Sequence, residues 1–274
     1  MPARSRLGQN FLHDAAAIQR IVAALGDCSQ RLVVEIGPGK GAITRLLAER
    51  ARHVLAIELD PVLAARLRDT FPPERVTVAP IDVLNFDFAA AAAGAGQRLV
   101  VVGNLPYYIT SPILLKLAEN AASLDFAVLM VQREVADRVA AAPGSRDYGV
   151  LTVTVQLHGP VQTLFTLPPE AFSPPPEVHS TVFRWRFQPR FAALGIDPAS
   201  FTAFLRQAFA QKRKTLANNL RAAGYSAAHI QAALSTAAIQ PTTRAEALSI
   251  EELAALWKSL AAAQGADATA PEVN

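Results

Sequence analysis

The chain has 274 residues, a formal net charge of +3 and 51% apolar residues, enough for one large domain or for a domain with a smaller companion. Its single cysteine, Cys28, excludes an internal disulfide and fits a reducing, cytoplasmic setting. No apolar run reaches the roughly 18 residues of a membrane-spanning helix, and the basic amino terminus, Met1 to Gly8, lacks the apolar segment of a secretory signal.

In chain order, Arg4 and Arg6 precede a polar-apolar lead-in, Gln9-Asn10-Phe11-Leu12, which reads as a loop anchored by Phe11. Ile18, Ile21, Val22 and Leu25 then recur at helical spacing behind Asp14, a suitable N-cap. Leu32 to Ile36 reads as a buried strand interrupted by one carboxylate, Glu35. Gly37-Pro38-Gly39-Lys40-Gly41 follows, then a helical run from Ala42 to about Arg50. Strand, glycine-rich turn and helix make a nucleotide-binding opening: glycines let backbone approach a ligand, and the helix start presents free N–H groups. The Gly-Lys-Ser/Thr ending of a P-loop is missing. Gly37, Gly39 and Ala42 fit the dinucleotide fingerprint loosely, which leaves a nicotinamide or flavin site open.

His53 to Asp60 predicts a second strand, ending in acid 17 residues after Gly41. Glu58 there can accept both hydroxyls of an adenosine ribose, or be a solvated strand end. Asp60, just before Pro61, suits the N-cap of a helix over Pro61 to about Thr70. Arg75 to Asp82 is a weaker third strand, whose final Asp82 can accept from an adenine amine or cap the next turn. The alanine-rich stretch from Asn85 to Gly96 reads as a helix with a loose loop.

Leu99 to Val102 is a fourth, buried strand. It stops at Gly103, and Asn104-Leu105-Pro106-Tyr107-Tyr108 follow at once. Asn104 offers an amide oxygen as acceptor, and Pro106 pushes Leu105 towards an extended conformation, so that the Leu105 carbonyl can point the same way. Two acceptors beside the flat faces of Tyr107 and Tyr108 suit the exocyclic amine of a nucleobase; the plain alternative is a buried strand ending in an ordinary proline turn. Thr110 or Ser111 caps a helix to about Ala122, Asp125 to Gln132 is the fifth strand, and Arg133 to Ala142 a helix. After a polar loop from Pro143 to Gly149, Val150 to Leu157 alternates like a strand. Phe165 to Pro176 is proline-rich and carries Phe172-Ser173-Pro174-Pro175-Pro176. Ser180 to Phe187 is the last alternating strand, with Arg184 and Arg186 on one face.

Alternating strands and helices predict an α/β fold with a doubly wound parallel sheet, and the last two strands suit an antiparallel edge. The glycine loop, Glu58, Asp82 and Asn104 stand at successive strand ends, where open α/β sheets bind ligands. Residues 1–188 form this domain. After Pro189 helix formers dominate, predicting a smaller all-helical domain over 189–262 and a frayed tail over 263–274. Phe201 to about Arg221 reads as one helix with Leu205, Phe209, Leu216 and Leu220 on its apolar face. Arg206, Arg213, Lys214 and Arg221 lie beside that face, and Gln211-Lys212-Arg213-Lys214 is the densest basic run; it is either a solvated face or a phosphate-contacting one. Further helices are expected at Ala227–Leu234 and Ile250–Leu260. The five histidines are scattered, so no metal site is expected.

Taken together, Gln9-Asn10-Phe11-Leu12, Glu35-Ile36-Gly37-Pro38-Gly39, Glu58-Leu59-Asp60, Asp82, Asn104-Leu105-Pro106-Tyr107, Phe172-Ser173-Pro174-Pro175-Pro176 and Gln211-Lys212-Arg213-Lys214-Thr215 run in one order over nearly the whole chain. In this the sequence resembles the ribosomal RNA adenine N6-dimethyltransferases, in particular their bacterial small-subunit (16S) branch. The resemblance implies a Rossmann-like class I methyltransferase sheet, S-adenosylmethionine as cofactor, and 16S rRNA in the 30S subunit or its precursor as partner, met by a monomer. It assigns Asn10, Leu12, Gly37, Gly39, Glu58, Asp82 and Asn104 to the cofactor. It assigns Asn104, Leu105, Pro106, Tyr107 and Phe172 to the target base, Tyr107 and Phe172 sandwiching it. The basic cluster of Arg206, Lys212, Arg213, Lys214 and Arg221, flanking a candidate base site, is expected to contact RNA phosphates. Lys40 and Tyr108 depart from the family's usual pattern: the first adds a cation to the cofactor loop, and the second stands where relatives often carry Asn.

Other readings compete. A macrolide-resistance 23S rRNA methyltransferase shares the core motif, but the extended basic carboxy-terminal region favours the 16S branch. A DNA adenine methyltransferase shares only the base-site logic. A non-catalytic factor, either an assembly checkpoint on the small subunit or a mitochondrial-transcription-factor relative, leaves the intact cofactor and base motifs without a use. A dehydrogenase leaves Asn104 to Tyr107 and Phe172 without a role.

Overall fold

The computed structural model of the chain describes residues 10–269. Arg4, Arg6 and Gln9 of the predicted lead-in, and residues 270–274 of the predicted tail, lie outside the described residues. Along the chain run β1 (Phe11–Leu12), α1 (Ala15–Ala23), β2 (Leu32–Ile36), α2 (Ala42–Arg50), β3 (His53–Ile57), α3 (Pro61–Thr70), β4 (Val76–Ala79), α4 (Phe88–Ala95), β5 (Leu99–Asn104), α5 (Thr110–Glu119), β6 (Leu124–Gln132) and α6 (Arg133–Val139). There follow α7 (Val150–Leu157), β7 (Val161–Leu167), β8 (Phe172–Ser173), β9 (Ser180–Arg186), α8 (Phe191–Leu194), α9 (Pro198–Ala208), α10 (Leu216–Ala222), α11 (Ala227–Thr236) and α12 (Ile250–Thr269).

The chain divides into two compact units. The first comprises the residues up to Ala140 together with His158–Gln188. Its seven-stranded sheet has the order β4-β3-β2-β5-β6-β9-β7. Strands β2 to β6 pair in parallel, whereas β9 runs antiparallel to both β6 and β7. Val33, Val34, Val100, Val101 and Val102 in the central strands are fully buried, as expected of a parallel sheet covered on both faces. The predicted caps form: Asp14 accepts from the Ala17 N–H at 3.0 Å, and Asp60 from those of Val62 and Leu63 at 2.8 and 3.2 Å. Helix α5 differs, because neither Thr110 nor Ser111 caps it. It grows out of a 3-10 turn over Tyr107–Ile109, and the Thr110 hydroxyl donates to the Pro106 carbonyl at 3.0 Å.

The second unit comprises Ala141–Leu157 and the residues from Pro189 on. The predicted boundary at residue 188 therefore leaves out an earlier stretch that belongs with the helices. Val150–Leu157, read as a strand, is the helix α7. Its β-branched alternation satisfies a strand pattern locally. Val153 and Leu157, one helical turn apart, instead enter a helical core with Phe201, Leu205, Leu216, Leu220 and Leu253, and tertiary packing overrides strand propensity. The strand on the other side of β9 is β7, whose apolar residues Val161, Leu164, Phe165 and Leu167 do not alternate with polar ones, because the register shifts between Thr163 and Phe165; the sequence therefore shows no clean strand pattern there.

The predicted helix over Phe201–Arg221 is in fact two, α9 and α10, with residues 209–215 as the turn between them. The buried Asn219 amide donates to the carbonyls of Ala208 at 2.8 Å and Gln211 at 3.2 Å, satisfying groups that a continuous helix would have bonded internally. Thr215 then caps α10. At the other end of the chain α12 runs to Thr269, past the expected end near Leu260, through an alanine-rich segment that favours helix over the predicted fraying.

Candidate active site

Strand order reverses between β2 and β5, and open α/β sheets bind ligands at that crevice. Ile36 pairs with Gly103 there, and a Cβ on Gly103 would stand 2.7 Å from the Ile36 carbonyl oxygen, so glycine lets the two strand ends close. Gly37 and Gly39 adopt φ of 66° and 58° in the loop that leaves β2. Gly39 leaves room for the Phe11 ring, whose atoms lie 3.0 Å from where a Cβ would be. The Lys40 ammonium sits 4.4 Å above the centroid of the same ring. The lead-in is thus more than an anchored loop. Phe11 and Leu12 form β1, which pairs antiparallel with Ser173 and Phe172 of β8 and carries Asn10 and Leu12 to the glycine loop.

All seven residues assigned to the cofactor, Asn10, Leu12, Gly37, Gly39, Glu58, Asp82 and Asn104, line one cavity at this rim. Leu105, Pro106 and Tyr107 line it as well. Glu58 is buried and its oxygens accept from the Gly39 N–H at 3.0 Å and the Asp60 N–H at 2.9 Å. Each carboxylate oxygen has a second lone pair, so the group can still take two hydroxyl donors. Burial raises its pKa. One oxygen of Asp82 accepts from the Leu84 N–H at 2.9 Å, capping a 3-10 turn over Val83–Asn85; the cap and a place at the cavity coexist.

The Asn104 amide nitrogen donates to the Asn10 carbonyl at 3.2 Å. Because that carbonyl only accepts, the amide orientation is fixed, and its oxygen is left buried without a partner at the cavity. The Leu105 N–H is tied to the Met130 carbonyl at 2.9 Å, anchoring the turn on β6. The Tyr107 hydroxyl shares a 2.8 Å hydrogen bond with Ser180 at the start of β9, and burial raises its pKa.

Phe172 departs from expectation. Its side chain is 2% exposed and packs in the core with Leu12 and Ala171, and Ser173, not Phe172, reaches the cavity. In a strand, neighbours face opposite ways, and here the apolar ring takes the inward side. Sequence reading also passed over Glu35 as a site residue. Glu35 is 1% exposed, lines the cavity, and keeps one oxygen without a hydrogen-bond partner. Its pKa is pushed up to about 7 by burial, with the Glu58 charge adding to the rise. A carboxylate inside an apolar strand was the signal for it.

In the helical unit, Lys212, Arg213 and Lys214 occupy the exposed turn between α9 and α10, Arg206 the last turn of α9, and Arg221 the last turn of α10. They do not form one face of one helix. Lys212 donates to the Arg146 carbonyl, and Arg221 to the Asn218 side chain at 2.8 Å.

An orphaned acceptor, glycines that bring backbone to a cavity, and two carboxylates on neighbouring strand ends fit a cationic nucleoside cofactor, and with the strand order they define a Rossmann-like methyltransferase. The model of the ribosomal RNA adenine dimethylase family matches residues 2–262. Ribosomal RNA small subunit methyltransferase A of Acidobacterium capsulatum is 60% identical over 258 residues, covering 94% of this chain and 91% of that protein. The protein of the same name from Koribacter versatilis is 48% identical, covering 94% of each chain. Among solved structures, the 23S rRNA methyltransferase ErmE aligns with a TM-score of 0.69 at 27% identity over 92% of this chain and all of that one. A dimethyladenosine transferase from Plasmodium falciparum, 23% identical over 90% of this chain and 95% of that one, shares the fold with a TM-score of 0.73. The chain belongs to the ribosomal RNA adenine dimethylase family, and its cofactor is S-adenosylmethionine.

Proposed function

We propose that the protein dimethylates N6 of two adjacent adenines in the 3′-terminal hairpin of 16S rRNA, acting as a cytoplasmic monomer on the small ribosomal subunit or its precursor. The observation that carries this reading is the Asn104 oxygen, buried, unpartnered and held in orientation at the cavity by the Asn10 carbonyl. S-adenosylmethionine supplies an electrophilic sulfonium methyl. An adenine amine is a weak nucleophile because its lone pair is delocalised into the ring. The Asn104 oxygen and the Leu105 carbonyl accept hydrogen bonds from its two N–H groups, which localises the lone pair for in-line attack. Oriented dipoles and positioning, rather than a strong base, supply the acceleration, since the methylated ammonium loses its proton readily. Glu58 takes the ribose hydroxyls and Asp82 the cofactor's adenine amine. Tyr107 offers its ring to the target base, taken from its stack or already unpaired; the buried Phe172 holds β8 against β1 instead of completing a sandwich. The basic turn Lys212–Lys214, with Arg206 and Arg221, meets RNA phosphates.

The test is incubation of the protein with radiolabelled S-adenosylmethionine and translationally inactive 30S particles lacking the modification, followed by mapping of the label. Two dimethyladenines near the 3′ end of 16S rRNA are expected. Label in 23S rRNA instead would move the protein to the branch represented by ErmE, and cofactor binding without any label would favour an assembly factor.

A further inference from the structure

The two adjacent tyrosines diverge. Tyr107 is anchored to Ser180, on the β9 side of the sheet. Tyr108 makes no such bond among the described residues and lines the cavity together with Asp82 and Glu58, whose charges add to burial in raising the pKa of its phenol. The residue is 55% exposed. Leu59, 50% exposed, and Ile81, 36% exposed, line the same cavity next to Glu58 and Asp82. Large apolar side chains left open to water around a pair of carboxylates are costly without a ligand, and an aromatic ring adds a stacking face. A purine whose edge meets Asp82 presents two flat faces. Leu59 and Ile81 come from the ends of β3 and β4, and Tyr108 comes from the turn after β5, across the point where strand order reverses.

We infer that Tyr108 stacks on the adenine of the cofactor, holding S-adenosylmethionine and its demethylated product alike, and takes no part in holding the target base. This rests on the cofactor assignment of Glu58 and Asp82. The test is calorimetric titration of wild type, Tyr108→Phe, Tyr108→Ala and Tyr108→Asn with S-adenosylhomocysteine and with methylthioadenosine, which keeps the adenosine half and lacks the amino acid. Tyr108→Ala and Tyr108→Asn are expected to weaken both ligands by the same factor, roughly 5- to 30-fold, while Tyr108→Phe stays near wild type. Unchanged affinity in Tyr108→Ala overturns the inference. So does a loss confined to S-adenosylhomocysteine, or an equal loss in Tyr108→Phe, which would assign the effect to the hydroxyl. Weaker binding of cofactor-free Tyr108→Ala to target RNA, with ligand affinity intact, would make Tyr108 an RNA contact. If wild type binds neither ligand, the cofactor assignment itself falls, a result distinct from any change among the variants. Thermal melting of each variant identifies one that fails to fold, and Tyr108→Phe, which keeps the ring, still decides between ring and hydroxyl.

Discussion

Replacing Glu35 with Gln should make the protein more stable at pH 8 than at pH 5, relative to wild type. Glu35 is fully buried, and its pKa stands at about 7 against an ordinary 4.5. Between those values the folded protein holds a proton that the unfolded chain has released. Folding therefore binds protons, and stability falls as pH rises through this window. Below pH 4.5 the side chain is protonated in both states and its ionisation costs nothing; above pH 7 the cost is fully developed. At ~1.4 kcal/mol per pKa unit, a rise from 4.5 to about 7 corresponds to about 3 kcal/mol. Gln keeps the shape and cannot ionise. Urea denaturation of both proteins at intervals from pH 5 to 8, without cofactor, gives the difference directly. Any cost of burying the Gln amide is the same at every pH, and titrating groups that do not interact with Glu35 cancel between the two proteins; the coupling to Glu58 is the smaller contribution, burial being the larger. A difference that grows by roughly 2–3 kcal/mol between pH 5 and pH 8 supports the assignment, the rest of the cost having developed below pH 5. A flat difference would refute it, and would mean that Glu35 is ionised in the folded protein throughout.

Asn104→Ala should abolish methyl transfer while leaving cofactor binding partly intact; near-normal methylation of 30S particles would remove Asn104 from its role. Glu58→Ala should weaken S-adenosylhomocysteine by roughly 10- to 100-fold in calorimetry, because it deletes a charged acceptor of hydrogen bonds. Phe172→Ala should cost about 3–5 kcal/mol in denaturant unfolding, as for a buried ring; a loss below ~1 kcal/mol with activity abolished would return the ring to the base site. Changing Lys212, Arg213 and Lys214 together to Ala should reduce the slope of log affinity against log salt by roughly 2 to 3 for target RNA, and an unchanged slope would leave the turn a solvated surface.

Much of the site was legible because its signals are local. A glycine loop after a Val-rich strand, acids at strand ends and Asn-Leu-Pro-Tyr after Gly103 each depend on a few consecutive residues. Alternation of strands and helices then placed them on one rim, and all seven positions assigned to the cofactor from sequence do line one cavity. The caps at Asp14 and Asp60 were equally local, since a capping side chain bonds only to residues two or three positions on.

Tertiary structure decided what depends on distant partners. Val150–Leu157 has the composition of a strand, and only a helical core able to surround it makes it a helix. The break between α9 and α10 rests on Asn219 reaching back to Ala208 and Gln211, a bond that no hydrophobic period announces. Phe11–Leu12 became a strand because Phe172–Ser173, far along the chain, supplies its partner, and that pairing turned the Phe172 ring inward, away from the base site. The placement of Tyr107 was set likewise, by Ser180 at the start of β9, 73 residues further along the chain. Sequence alone determined which chemical groups stand at the strand ends, because spacing and residue type suffice for that. Their orientation, burial and protonation came from packing, because each depends on neighbours that only the folded chain brings within reach.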